Sequence, residues 1–97
     1  MLLLTPKEFA GEIASRIRAL RLEKQWSQKE LAARAGVHLA TYQVFERTGK
    51  ISLERLYKIA TALQREHDFD SLFAPFPIRD IAELIPKPTR QRGRTSK

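Results

Sequence analysis

The chain has 97 residues, 42% of them hydrophobic and 30% charged, which is enough for one small core. It has no cysteine, which excludes disulfides and thiolate metal sites, and no apolar run approaches the roughly 20 residues of a membrane span. The 18 basic and 11 acidic side chains give a net charge of +7, which favours a polyanionic partner such as nucleic acid. We therefore expect a cytoplasmic protein with no cofactor, no metal ion and no contact with a membrane.

The first predicted helix begins at a capping box. Thr5 precedes Pro6, and Glu8 follows three residues after Thr5, so each of the two polar side chains can satisfy an amide of the first turn. Apolar residues then recur at helical spacing, namely Phe9, Ile13, Ile17 and Leu20. The pattern predicts a helix over residues 6–23.

Two short helices are predicted next. Ser27, with a glutamate three residues later, is a second capping-box pattern, and it predicts a helix over 28–35 that ends at Gly36. The third predicted helix covers 39–47 and stops before Gly49.

The fourth predicted helix begins after Ser52. Its expected apolar face consists of Leu53, Leu56, Ile59, Ala60 and Leu63. Asp68 or Asp70 can cap a fifth helical turn that ends at Phe73, and we expect Phe69 and Phe73 to close the core.

Beyond these helices the chain carries an apolar stripe and then a basic tail. Together with a preceding phenylalanine, the stripe predicts a dimer or partner surface formed by Phe76, Ile78, Ile81, Ala82 and Ile85. The segment 86–97 holds five basic residues and no acidic one. We predict a DNA-binding domain over 1–74, a docking segment over 75–86 and a disordered basic tail over 87–97. The sequence does not decide whether the docking segment is a helix or a strand.

Residues 27–47 read as two short helices around a glycine turn, which is the pattern of a helix-turn-helix. At 100° per residue, one arc of the third predicted helix, about 140° wide, lies opposite Tyr42 and Phe45. The residues of this outward arc are Leu39, Ala40, Gln43, Val44 and Arg47. Small and mildly polar side chains on such an arc suit contact with base edges in the major groove.

Residues 13–63 resemble the Cro/repressor-type helix-turn-helix family, also called the XRE family, which includes lambdoid phage repressors. The resemblance is carried by Arg21, Trp26-Ser27-Gln28, Glu30-Leu31-Ala32, Gly36-Val37, Ala40-Thr41 and Phe45-Glu46. It implies an all-α fold, a compact five-helix lambda-repressor-like domain with a short C-terminal extension. It also implies that the protein binds double-stranded operator DNA as a homodimer.

The resemblance implies roles for individual positions. The residues expected to read bases are His38, Leu39, Ala40, Gln43 and Val44. Those expected at the DNA backbone are Ser27, Gln28, Thr41, Arg47, Thr48 and Lys50. Arg21 and Glu46 are expected to form a structural ion pair. The chain departs from the family at Leu39, where a polar residue is common, and at Tyr42, where a smaller aliphatic is usual. The loop 48–50 is also one residue longer than in the phage proteins, so the operator sequence is not predicted.

A narrower resemblance connects the chain with bacterial regulators similar to HipB, which are antitoxins of HipA-type serine/threonine kinase toxins. It is carried by Phe45–Gly49, Ile51–Leu56, Phe69–Phe73 and the basic tail. It implies a repressor that autoregulates its own operon as the antitoxin of a toxin–antitoxin system.

Two other functions stay open at this point. The protein could be a phage-type or general regulator with no toxin partner, or a protein-binding module that does not read bases. Taken singly, Gln28 and Gln43 are ordinary exposed glutamines. We do not expect an enzyme, because Ser27 is explained as a helix cap and the sequence supplies no partner that would orient His38 towards it. The polar residues 66–70 are better explained by helix capping than by metal binding.

Overall fold

The computed structural model describes residues 3–75, and the chain divides into two compact units, Met1–Glu66 and His67–Lys97. The described part contains four α-helices and no β-strand. They are α1 (Pro6–Glu23), α2 (Gln28–Ala35), α3 (Leu39–Thr48) and α4 (Leu53–Ala62), followed by a 3-10 helix over Glu66–Phe69. The all-helical prediction is confirmed for this part of the chain, and α1 and α2 have the predicted bounds.

The helix starts follow the capping residues in the sequence. The Thr5 hydroxyl accepts a hydrogen bond from the Glu8 amide at 3.0 Å, and the Glu8 carboxylate accepts one from the Thr5 amide at 2.9 Å. The cap of α2 is formed in one direction only. Ser27 accepts from the Glu30 amide at 3.0 Å, while the Glu30 carboxylate accepts from Arg34 at 3.2 Å instead of turning back to the cap.

Glycines in the left-handed region end α2 and α3. Gly36 has a φ of 71° and Gly49 a φ of 85°, a conformation that side chains with a Cβ rarely adopt. At Gly49 space is also restricted, since a Cβ there would lie 2.6 Å from the carbonyl carbon of Ala10. The turn after α3 therefore packs directly against the backbone of α1.

The core forms where α1 packs against α3 and where α2 packs against both α3 and α4. Tyr42 and Phe45 lie at its centre, with ring centroids 6.0 Å apart in an edge-to-face arrangement. The buried members of this cluster are Ala14, Ile17, Leu31, Ala32, Val37, Tyr42, Phe45, Ile59 and Leu63. Both aromatic side chains of α3 thus anchor it from the inside, which leaves the opposite face of the helix for other contacts.

Two residues expected on apolar helix faces are exposed instead. Phe9 is 57% exposed and Leu53 is 68% exposed. Each lies in the first turn of its helix, α1 or α4, at the margin of the buried cluster. Helical spacing identified the correct face, but it does not show where along the helix the neighbouring elements stop.

The predicted fifth helical turn differs from what the structure shows. Residues Glu66–Phe69 form a 3-10 helix, and residues 70–73 form turns rather than an α-helix. Phe73 has a φ of 53° and is 98% exposed, so the expectation that it closes the core was wrong. A left-handed residue ends a helical run, and so short a segment gains too few hydrogen bonds to offset the cost of helix nucleation.

Candidate nucleic-acid interface

The outward arc of α3 presents four exposed side chains, Ala40, Gln43, Val44 and Arg47. Tyr42 and Phe45, on the other side of the helix, are 0% and 1% exposed. The helix therefore has one face committed to the core and one face free for contact with a partner. Gln43 and Arg47 are the two members of the exposed set that carry hydrogen-bonding side chains.

Leu39 belongs to the outward arc in angle but is only half exposed. It begins α3 and packs against the buried cluster. His38 precedes it as the N-terminal cap residue, and no side-chain cap hydrogen bond is formed there. The His38 side chain is exposed at the start of the helix.

Glu46 is the centre of a hydrogen-bond network between α1, α2 and α3. Its carboxylate accepts from Arg21 Nε at 2.8 Å and from Arg21 Nη2 at 3.1 Å, a bidentate pair. It also accepts from the Tyr42 hydroxyl and, at 2.9 Å, from Gln28 Nε2. These four hydrogen bonds use about all the acceptor capacity of one ionised carboxylate.

The network shifts the pKa values of its members. Burial by itself would raise the pKa of Glu46, but hydrogen bonds from Arg21, Tyr42 and Gln28 outweigh burial and lower it below the ordinary value. The hydrogen bond to Glu46 raises the pKa of Arg21. Burial, together with donation to Glu46, raises the pKa of Tyr42 well above its usual range. At neutral pH the pair is charged and Tyr42 keeps its proton.

Gln28 links this network to the exposed arc. While its amide nitrogen donates to Glu46, its amide oxygen accepts from Gln43 Nε2 at 3.3 Å. Gln28 is the first residue of α2, directly after the Ser27 cap. The N-terminus of α2, where free amides attract anions such as phosphate, is thus joined to the centre of the exposed face of α3.

The other residues expected at a DNA backbone flank this region in sequence. Thr41 is half-buried, whereas Lys50 is exposed. The Thr48 hydroxyl donates to the Val44 carbonyl at 2.7 Å and accepts from the Lys50 amide at 3.1 Å. Thr48 therefore shapes the loop after α3 through hydrogen bonds within the protein.

Arg18 lies at the site although it was not among the predicted residues. An open depression on the surface is lined by Arg18, Gln28, Gln43, Glu46 and Arg47. The Arg18 side chain is 60% exposed, and its Nε lies 4.0 Å from the Glu46 carboxylate. Its position three residues before Arg21 places both side chains on the same face of α1. This spacing in the sequence could have predicted that Arg18 lies near the site.

Several expectations lie outside the described residues. These are the docking residues Phe76, Ile78, Ile81, Ala82 and Ile85 and the basic tail over 87–97. Within residues 3–75, histidine and the acidic residues form no group that could hold a metal ion. In the same part of the chain, none of the helices combines the length and apolar character needed to cross a bilayer.

Two short helices joined at Gly36, with the second exposing a mixed face beside the N-terminus of the first, define a helix-turn-helix DNA-binding domain. A family model of this class, described as helix-turn-helix, matches residues 17–69, more than half of the chain. The protein belongs to this helix-turn-helix family of the XRE type, whose function is DNA binding in transcription regulation. Neither the comparison with curated proteins nor that with solved structures finds a match.

Proposed function

We propose that the protein is a sequence-specific transcriptional repressor that binds operator DNA as a homodimer and regulates its own operon. The observation that carries the proposal is the contact between Gln28 and Gln43. Gln43 Nε2 lies 3.3 Å from Oε1 of Gln28, the first residue of α2, so the polar centre of the exposed α3 face contacts a side chain from the helix terminus that attracts phosphate. A helix inserted in the major groove needs both features side by side, one to fix its position on the backbone and one to read bases.

The exposed cations support the same orientation. Arg18 and Arg47 line the depression next to Gln43, and Lys29 and Lys50 are exposed at the start of α2 and after α3. Positive charge at these places can neutralise phosphates on either side of a groove. Two copies related by a two-fold axis would present two such helices to the half-sites of one operator.

The proposal predicts a strong salt dependence of binding to the protein's own promoter. Each neutralised phosphate contributes about −0.9 to the slope of log affinity against log salt, so four or more contacts give a slope of about −3.6 or steeper. The measurement is a titration of promoter DNA at several salt concentrations. A slope near zero, or no retardation at low salt, would contradict DNA binding.

Gln43→Ala serves as the matched test of sequence reading. It should weaken binding to the promoter by roughly 1–3 kcal/mol while leaving binding to unrelated DNA nearly unchanged, because only base contacts distinguish sequences. An equal loss on both DNAs would make Gln43 a backbone contact, and the repressor would then have to read its operator through other residues.

The resemblance to HipB-like regulators adds a second proposed role, that of the antitoxin of a HipA-type kinase toxin. It rests on the runs Phe45–Gly49 and Ile51–Leu56 in the sequence, and the comparisons add no support for it. The test is to co-express the protein with a kinase encoded beside it and to measure complex formation and kinase inhibition. If no kinase gene adjoins this one, or if the kinase neither binds nor is inhibited, the protein is a regulator without this partner.

A further inference from the structure

The loop after α3 is held by two hydrogen bonds of one side chain, that of Thr48. Its hydroxyl donates to the Val44 carbonyl at 2.7 Å and accepts from the Lys50 amide at 3.1 Å. The first bond reaches back along α3, whereas the second fixes the backbone two residues ahead. We call residues 48–50 the anchored loop. It is one residue longer than the loop in the phage proteins, so its positions do not correspond one to one with theirs.

Gly49 attaches the anchored loop at two further points. Its amide donates to the Phe45 carbonyl at 2.7 Å, and its φ of 85° turns the chain out of the helix. A Cβ at this position would lie 2.6 Å from the carbonyl carbon of Ala10, so the Gly49 backbone packs directly against α1. The loop is therefore fixed to the last turn of α3 and to α1 before the chain reaches Lys50.

The Thr48 hydroxyl has no hydrogen left to donate to a phosphate. A hydroxyl carries a single hydrogen, and that of Thr48 is given to the Val44 carbonyl. The ionised oxygens of a DNA phosphate only accept hydrogen bonds, so a bond from Thr48 to a phosphate would require the bond to Val44 to break. In this arrangement the Thr48 hydroxyl links parts of the protein to each other.

Lys50 is the side chain that the anchored loop presents to a partner. It is exposed and follows directly after the last turn of α3. In helix-turn-helix proteins the N-terminal residues of the recognition helix contact base edges. The C-terminal end of α3 and the loop after it then face the sugar-phosphate backbone, where an ammonium group binds phosphate as a point charge.

We propose that Thr48 is a positioning residue that holds the Lys50 backbone for contact with a DNA phosphate, and that Thr48 is not itself a phosphate ligand. The proposal rests on the proposed function as a DNA-binding repressor. A loop that is already ordered in the free protein loses less conformational entropy on binding, so the Lys50 contact is stronger than that of a lysine in a loose loop. Because a phosphate contact carries no sequence information, Thr48 should affect binding to all DNA sequences alike.

The test is a double-mutant cycle on the full chain, with Thr48→Val and Lys50→Met measured singly and together. Binding to promoter DNA and to an unrelated duplex of equal length is titrated at several salt concentrations. Thr48→Val keeps the approximate side-chain shape but forms neither hydrogen bond, and it should weaken binding about three- to tenfold on both DNAs. Lys50→Met should flatten the slope of log affinity against log salt by about 0.9. In the Lys50→Met background, Thr48→Val should change affinity by less than about twofold.

Two further variants separate positioning from a general effect on the fold. Thr48→Ser keeps the hydroxyl and should bind DNA within about twofold of the wild type. Thr61→Val is the matched control on α4, where the Thr61 hydroxyl donates to the Tyr57 carbonyl at 2.9 Å. It removes the same kind of hydrogen bond outside the proposed interface, so DNA affinity should again stay within about twofold. Melting curves of the free variants confirm that each one is folded during the titrations.

The results that would overturn the proposal are distinguishable from one another. Unchanged binding of Thr48→Val overturns it, and additive losses in the double variant do so as well, because Thr48 would then act independently of Lys50. A loss confined to promoter DNA would assign Thr48 to sequence reading instead. If Lys50→Met alone changes neither affinity nor slope, the positioning role fails while DNA binding stands. If the wild type binds neither DNA at low salt, the proposed repressor function fails and the positioning role fails with it.

Discussion

At the scale of single residues, the buried Tyr42 hydroxyl and the Glu46 carboxylate satisfy each other's need for a hydrogen-bond partner. A carboxylate with a side chain only 5% exposed is destabilising unless hydrogen bonds replace the water it has lost. Arg21 alone supplies two of them, and the Tyr42 hydroxyl supplies another from within the core. The tyrosine therefore fills core volume as an aliphatic residue would and also stabilises the charge that links α1 to α3.

This arrangement predicts a pH dependence of stability for Glu46→Gln. Folding lowers the pKa of Glu46. Its contribution to the stability of the fold is therefore complete above the pKa of the unfolded state, about 4.3, and is lost as the pH falls through the lower pKa of the folded state. At pH 7 the variant should be less stable by on the order of 3 kcal/mol, because Arg21 is left buried without a counter-charge. Urea unfolding of both proteins at pH 7 and at pH 3 measures the difference, which should shrink at pH 3.

Glu12→Gln is the control for this experiment. Glu12 pairs with Arg16 at 3.1 Å on the surface of α1, with the two side chains 48% and 69% exposed. Its loss should change stability by less than about 0.5 kcal/mol at neutral pH. If Glu46→Gln is destabilised equally at pH 7 and pH 3, the Glu46 carboxylate does not act through its charge.

Part of the site could be predicted from the sequence. The family resemblance implied that Arg21 and Glu46 pair, and the angular position of Gln43 followed from helical geometry. The hydrogen bond between Gln28 and Gln43 could not be predicted, because it depends on how closely α2 and α3 approach each other across the turn. Tyr42 is visible in the sequence as a departure from the family, but its partner lies one turn further along the helix and depends on the side-chain rotamer.

At the scale of elements, local signals determined the helix bounds better than apolar spacing determined burial. A serine or threonine cap acts on its own first turn, and a left-handed glycine acts on its own last turn, so both can be read from neighbouring residues. Burial depends on distant elements, which is why the exposure of Phe9 and Leu53 was not predicted. The predicted fifth helical turn had candidate capping residues in the sequence but too few residues to propagate as an α-helix.

Replacement of Gly49, Gly36 and Gly11 by alanine should change the free energy of unfolding by different amounts. Gly49→Ala should cost about 2–4 kcal/mol, because the new Cβ combines a strained φ with a clash against the Ala10 backbone. Gly36→Ala has the same kind of φ but open space, so about 1–2 kcal/mol is expected. Gly11→Ala lies within α1 with nothing near its Cβ and should stabilise by about 0.5–1 kcal/mol.

Thermal or urea unfolding of the three variants provides the measurement. The order of their stabilities separates backbone strain from packing, because Gly36→Ala introduces backbone strain without a clash. Equal losses of stability for Gly49→Ala and Gly36→Ala would show that the close approach of α1 to this turn does not contribute to stability.

At the scale of the whole molecule, positive charge is distributed unevenly along the chain. The net charge is +7, and residues 87–97 contribute five basic side chains with no acidic one. Over the length of the family match the charges are more balanced, so much of the nonspecific attraction to DNA is expected from the tail.

Removal of residues 87–97 should therefore weaken DNA binding without altering its sequence preference. The slope of log affinity against log salt should become less steep by up to about 0.9 for each phosphate contact removed. Binding of the truncated and full chains to promoter and unrelated DNA at several salt concentrations tests this. An unchanged slope would exclude the tail from the DNA contact.

Trp26 is the only tryptophan of the chain, and it lies at the junction of α1 and α2. Its carbonyl accepts from Arg21 Nη1 at 2.8 Å, and its ring stands 4.3 Å from the Arg34 guanidinium and 5.3 Å from the Lys24 ammonium. Tryptophan fluorescence of the unlabelled protein therefore originates at one known place, beside one cation that follows α1, Lys24, and one that lies on α2, Arg34. Emission intensity and wavelength can report on movement of α2 relative to α1 during binding or unfolding, with no attached dye.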